Sequence, residues 1–476
     1  MTHRVLAEAT DDRPTGSRFR TERWLPFALA IVVLYVATSI VLQITHPFLA
    51  HDDWEYELPA GAPGVYDLHL RNIYEGRWLN YLWWRFVGQH GSPVSASLTF
   101  QLAYLAFVLW FAIRLSPRQW LGFLTFAAIF VSPMWIKLAY WPAVQSLSAI
   151  VLAAAVWVLP RFRTRVRWLA VWLAVFTLLS AFTYPPVAAV AFLVMVVDQI
   201  DRKFWNLFLL GVWFAVAYVA SLLATFTVNW FVFSHFGLKI KEWRDPNPVH
   251  GLGDLVENTQ RLGGQWWTLA AELKVPLSVA VVAIVVGLAV QSTRRNMSVL
   301  LLAGALAAGL EAGATLSSGT LTAARGSLWA WIVIVVPITW VAQVRTRVRI
   351  AGIAGLAIVA IWGVLFWSSD VRMHQAVQSH YDAIGDKVAA AHEKHPARWV
   401  VMYTGGAETV GDSRYFTNSR SLQMSILEQH GITVRLCRPA ICDRIREEAL
   451  PVHQGRRTFL FEKMVIVVSP QPRWWM

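Results

Sequence analysis

The chain has 476 residues, 56% of them hydrophobic, with a formal net charge of +13 and a mean hydropathy of +0.45. That much apolar surface exceeds what one soluble core of this length encloses, which excludes the ordinary soluble classes and indicates a polytopic membrane protein. Lys and Arg concentrate in short connectors between apolar runs, so the charge reads as an orientation signal with contact to membrane lipids, not as a nucleic-acid footprint.

A hydrocarbon layer roughly 30 Å thick takes about 20 helical residues, and only helices satisfy their own backbone there. Taken in order, the apolar runs predict spans at 24–45, 96–115 and 120–136, a fourth ending in the basic stretch 161–167, and a fifth rising to Tyr184-Pro185-Pro186. A sixth returns to 198–203, a seventh covers 204–233, an eighth ends at 292–295, and a ninth rises to 316–320. The tenth drops to 345–349 and the eleventh covers 350–368. Even-numbered spans end in basic connectors, with mixed charge at the sixth, which places the N-terminus in the cytoplasm and the loops 46–95 and 235–265 outside. Segment 66–87 has no Pro and a single Gly and predicts a helix lying along the interface, whereas 241–253 reads as a flexible external loop.

The fold class is therefore an α-helical polytopic membrane protein of about 11 transmembrane helices with a small C-terminal α/β domain outside the membrane. Its parts are a basic cytoplasmic segment 1–23, a transmembrane domain 24–368 with the outside loop 46–95, and a tail domain 369–476. Apolar alternation predicts strands at 399–403 and 464–468, and helical patterns lie between them at 421–430 and 443–450. Cys437 and Cys442 lie in that tail, where oxidising conditions let a bridge persist, and are expected to be joined.

Asp52 and Asp53 are adjacent carboxylates close behind the first span, a costly place for two charges unless they act on something. One can take a proton from a nucleophile while the other holds it or a divalent metal in place. Arg77 and Arg325 are cations at the outer ends of spans, where topology does not favour them, and would suit a phosphate gripped by two parallel hydrogen bonds. Snorkelling to the headgroups is the alternative for both, and more so for Lys137. Trp141 and Tyr184 sit at outside turns, as sugar-stacking rings or as belt residues. Glu311, deep in the ninth span, reads as a structural partner, and His392-Glu393-Lys394-His395 as surface.

Together these pieces resemble the GT-C superfamily of integral-membrane glycosyltransferases. Within it the chain looks most like the Gtr-type O-antigen glucosyltransferases, through Asp52-Asp53-Trp54 and Gly76-Arg77-Trp78. The resemblance implies an enzyme of the bacterial inner membrane that moves a sugar from a polyprenyl-phosphate donor to a glycan or lipid-linked acceptor outside. Asp52 or Asp53 would be the base, Arg77, Arg325 and Lys137 would hold phosphate, and no nucleotide site would be needed. A transporter or flippase of a lipid-linked saccharide is the alternative, although apart from Glu311 the spans lack the midplane polar groups that transporters use.

Overall fold

In the computed structural model the described residues are 72–116, 119–240, 245–321, 324–344, 347–396, 399–403, 413–437 and 439–468, with Tyr56 and scattered helical positions between 26 and 41. The helices are α1 Trp78–Phe86, α2 Pro93–Leu115, α3 Gln119–Phe130, α4 Pro133–Leu138, α5 Pro142–Phe162, α6 Val166–Ala181 and α7 Pro186–Asp198. They continue with α8 Phe204–Phe233, α9 Leu252–Glu272, α10 Lys274–Ala289, α11 Gln291–Ser318, α12 Leu328–Gln343 and α13 Val348–Lys394. The tail adds β1 Trp399–Tyr403, α14 Ser413–His430, β2 Val434–Leu436, α15 Pro439–Arg444, a π-helical turn at Ile445–Ala449, β3 Thr458–Phe461 and β4 Met464–Val468.

The chain folds as a helical membrane protein. Among the described residues, α2, α5, α8, α11 and α13 are long and apolar enough to cross a bilayer, and α9 with α10 forms a pair bent by 90°. Shorter apolar helices fill the interior. Thirteen-residue α7 is buried along Val187–Val197 against α5, α6, α11 and α12, so protein, not lipid, surrounds it and full bilayer length is not demanded of it.

Helix ends gather in two opposed sets. At one, the basic connectors lock to one another: Arg114 Nε donates to Asp198 at 2.8 Å, Arg295 Nη1 to the Ile200 carbonyl at 2.7 Å, Arg202 to the Arg163 carbonyl, and Gln343 Nε2 to the Leu115 carbonyl at 2.7 Å. Arginine suits this work because its five donors reach the unpaired carbonyls of helix C-termini. The ends of α4, α6, α8 and α11 lie at the other set, together with α1 and the turn Ala324–Gly326.

The structure corrects several expectations. The helix expected over 66–87 is broken within the described residues into helical backbone at 72–74 and α1, because Gly76 takes φ +77° and stops any helix crossing it. The span expected at 120–136 is broken between α3 and α4, where Pro133 starts a new helix. The outside loop expected at 235–265 contains most of α9, and Asn247 and Val249 donate to the carbonyls of Ser318 and Ser317. Ser292 to Arg295 are not a connector but the first turn of α11.

The helix expected to end at residue 368 runs unbroken to Lys394. Leu356 and Val359 of α13 belong to the bundle core, while Val377, Tyr381, Ile384 and Val388 pack under the tail sheet. Both expected strands form, as β1 and β4, and pair in parallel. Short β2 and β3 complete a four-stranded sheet of order β2-β1-β4-β3, with β3 antiparallel at its edge.

Cys437 and Cys442 are bonded, with Cα atoms 5.4 Å apart, and both are buried in the small core over the face of β1 and β4. A loop this short removes little unfolded-chain entropy, so opening it should cost about 2 kcal/mol. Unfolded, unreduced protein should take up no alkylating label by intact mass, and reduced protein two.

Candidate active site

The segment before α1 is shaped by a turn. Gly76 donates to the Ile73 carbonyl at 2.9 Å and Arg77 to that of Asn72 at 2.7 Å. A Cβ on Gly76 would stand 2.3 Å from Thr225 Cγ2, so this position also needs the missing side chain. The turn aims Arg77 at the end of α6, where its guanidinium lies 5.9 Å from the Tyr184 ring centre and 3.2 Å from the Glu75 carboxylate.

Three further bonds fix α1. Leu79 N–H donates to the Phe182 carbonyl at 3.1 Å, Asn80 Nδ2 to that of Thr183 at 3.3 Å, and Trp78 Nε1 to Asn229 Oδ1 at 3.0 Å. Each joins α1 to the end of another helix, α6 or α8. Tyr184 is 8% exposed and packs in the bundle core, so it supports Arg77 and does not offer a free face to a sugar.

On the other side of α1, Tyr56 is buried against Trp84, Ala143 and Val144, with Tyr81 and Trp141 packed on the same cluster. Its hydroxyl donates to Asn72 Oδ1 at 2.6 Å. Trp141 also takes the guanidinium of Arg325 at 4.0 Å from its ring centre, a contact worth about 1–2 kcal/mol when partly desolvated. One Trp141 face is thereby occupied. Among the described residues Arg325 has no carboxylate partner, unlike Arg77 and Lys137.

Lys137 pairs with Glu272 and lies 5.7 Å from the Phe366 ring centre. Glu272 lines a partly open cavity of about 310 Å³, with Gln265, Thr268, Leu269, Leu321, Ala324 and Ser327. Glu311 ties its two walls together, accepting from Ser327 Oγ at 2.8 Å, Trp329 Nε1 at 2.7 Å and Gln265 Nε2 at 3.3 Å. This is the structural role expected of it. Helix α4, which carries Lys137, packs on the turn that carries Arg325.

Lys137, Trp141 and Arg325 do not line this cavity but sit next to it, Lys137 through Glu272 and Arg325, over Trp141, beside Ala324, while Arg77 lies with Tyr184 at the opposite end of α1 from Trp84. Seven residues separate Arg77 and Trp84, about 10 Å along a helix. Asp52 and Asp53 lie outside the described residues. Sequence reasoning missed Glu272, Gln265 and Ser327, as well as His374, whose ring stacks on Tyr140 at 3.8 Å and whose Nδ1 is 2.8 Å from the Asp370 carbonyl oxygen. Only the unusual acid at Glu272, close before an apolar run, could have signalled any of them.

Among the described residues no group of three or more His, Cys, Asp and Glu side chains is gathered as a metal site. No protein-family model, curated protein or solved structure matches the chain.

Proposed function

We propose that the chain is a membrane glycosyltransferase of about eleven spans and GT-C-like plan, moving a sugar from a polyprenyl-phosphate donor to a cell-envelope glycan or lipid-linked acceptor on the extracytoplasmic side of a bacterial inner membrane. The observation that carries this reading is the seating of Tyr56 in the cluster that holds Trp141, the ring on which Arg325 rests. Asp53 precedes Tyr56 by three residues, and three residues of any backbone reach at most about 11 Å. This short tether to a described residue is what supports assigning the acidic pair and the cations to one site. Tyr56, Trp141 and Arg325 are at the end of the bundle away from the interlocked arginines, and the distribution of positive charge supports reading that end as the outer one.

The reaction is a displacement at the anomeric carbon. Asp52 or Asp53 takes the proton of an acceptor hydroxyl, whose oxygen forms the new glycosidic bond as the bond from C1 to the phosphate oxygen breaks, and polyprenyl phosphate leaves with the electron pair. One displacement inverts the anomeric centre. Arg325 meets the developing phosphate charge, and Arg77 and Lys137 add to the field once the phosphate competes with Glu75 and Glu272 for them. The exposed part of Trp141 can still lie against a sugar.

Glycan analysis of a deletion strain against its parent tests the assignment. Loss of one sugar branch, restored by the intact gene, is expected. An unchanged glycan, or the same glycan retained on the cytoplasmic side, would replace this reading with none or with a transporter. In the restored strain Arg325→Ala should cut transfer by roughly 10²-fold, the scale of one lost charge-stabilising donor, through donor use more than acceptor use. Arg325→Lys should recover part, since the charge returns without the two-pronged grip.

A further inference from the structure

Helix α9 has three distinct faces. At 100° per residue, Leu252, Leu255, Val256, Trp266 and Trp267 fall within about 60° of one line along it, and all five are exposed, Leu252 by 82% and Trp267 by 77%. A second face, with buried Asn258 and Leu262, packs on α11, where Asn258 Nδ2 donates to the carbonyls of Asn247 and Leu316 at 2.8 and 3.0 Å. A third, with Glu257, Gln260 and Thr268, is exposed and polar or charged. Water on both exposed faces would leave the five apolar side chains without cover.

The junction with α10 says what covers them. The axis turns by 90° at Leu273, where Pro276 supplies no backbone N–H for the carbonyl of Glu272 to bond. Beyond the elbow, Val281, Val282 and Val285 of apolar α10 are exposed by 50–62%, as lipid-facing residues of a membrane helix are. If α10 stands across the bilayer, a right-angle turn lays α9 in the plane of its surface, with the two tryptophans about two turns before the elbow, at the depth where indole rings collect.

We propose that α9 is a membrane-surface helix, its apolar stripe sunk at the boundary of headgroups and acyl chains at the end of the bundle away from the interlocked arginines. The partner is the bilayer itself, held by apolar area and not by charge, since α9 carries Asp254, Glu257 and Glu272 against the single Arg261. This stands independently of the proposed reaction. It has a consequence for the cavity, because Gln265, Thr268, Leu269 and Glu272 lie on the side of α9 turned away from the stripe. One cavity wall is thus a helix anchored in lipid.

The test uses the full chain in nanodiscs of phosphatidylcholine. The native cysteines are bonded to each other, so a nitroxide can be attached at single cysteines replacing Leu252, Val256 or Trp267, with Glu257, Gln260 and Thr268 as the polar flank and Val282 as the lipid reference. Power saturation with oxygen and with a water-soluble nickel chelate should place the stripe about 5–10 Å below the phosphates, and the flank in water. Replacing a third of the lipid with phosphatidylglycerol should leave the depths unchanged. Chelate access at all six α9 sites would overturn the proposal. So would a stripe closed to both reagents, which would mean that protein covers it, or a stripe that enters the bilayer only when anionic lipid is present.

Discussion

Replacing Asp52 and Asp53 singly by Asn will separate the two carboxylates. One variant should lose sugar transfer by roughly 10²- to 10⁴-fold, the usual contribution of a positioned base, while the protein still inserts and purifies at parental yield. The amide keeps the shape of the carboxylate and gives up its capacity to accept a proton. The other variant should lose less, because neighbouring residues on a strand or helix point apart and only one can face the acceptor. Glycan analysis of strains carrying each variant, with membrane protein quantified in parallel, measures both effects. Parental glycan from both variants would sink the catalytic role.

Gly76→Ala should lower stability by roughly 2–5 kcal/mol. About 1–2 kcal/mol comes from forcing a side chain into left-handed backbone, and about 1–3 from overlap with Thr225 and Leu238, whose atoms would lie 2.3 and 2.8 Å from the new Cβ. The two parts can be told apart. Adding Thr225→Ser removes the methyl that collides and keeps the hydroxyl that donates to the Ser221 carbonyl at 3.0 Å, so the double variant should regain some of the overlap cost and none of the backbone cost. Melting in detergent, followed by tryptophan emission, gives the three midpoints. Full recovery by the serine would show that backbone strain at Gly76 is negligible.

The longest apolar runs announced their helices, because lipid demands uninterrupted hydrophobic length and leaves no other backbone solution. The basic connectors did more than mark a side of the membrane, since Arg114, Arg202 and Arg295 stitch helix ends together across gaps of 39 to 95 residues. Such partners carry no local signal. The same holds for Lys137 and Glu272, 135 residues apart, and for the placing of Arg325 over Trp141.

Helix α13 misled for a different reason. Hydropathy falls at Ser368-Ser369-Asp370, but no Pro or Gly occurs between Gly363 and Gly385, so polarity changed there while nothing stopped the helix. Strands β2 and β3, of three and four residues, were too short to show alternation. Of the candidate site, residue types at span ends were legible, whereas the cavity beside α9 depended on a bend whose 90° angle Pro276 alone does not set.

The unbroken α13 makes the tail a load on a mast. From Val359 in the bundle core to Val388 beneath the sheet there are 29 residues, or roughly 44 Å of continuous helix. Gly352 and Gly363 seat its lower part so closely on Ala342 and Val131 that it has little room to roll. Standoff and heading of the sheet are therefore coupled and come in steps, about 1.5 Å and 100° for each residue added or removed. A seven-residue excision near residue 370 would bring the sheet about 10 Å nearer to the bundle while turning it by only about 20°.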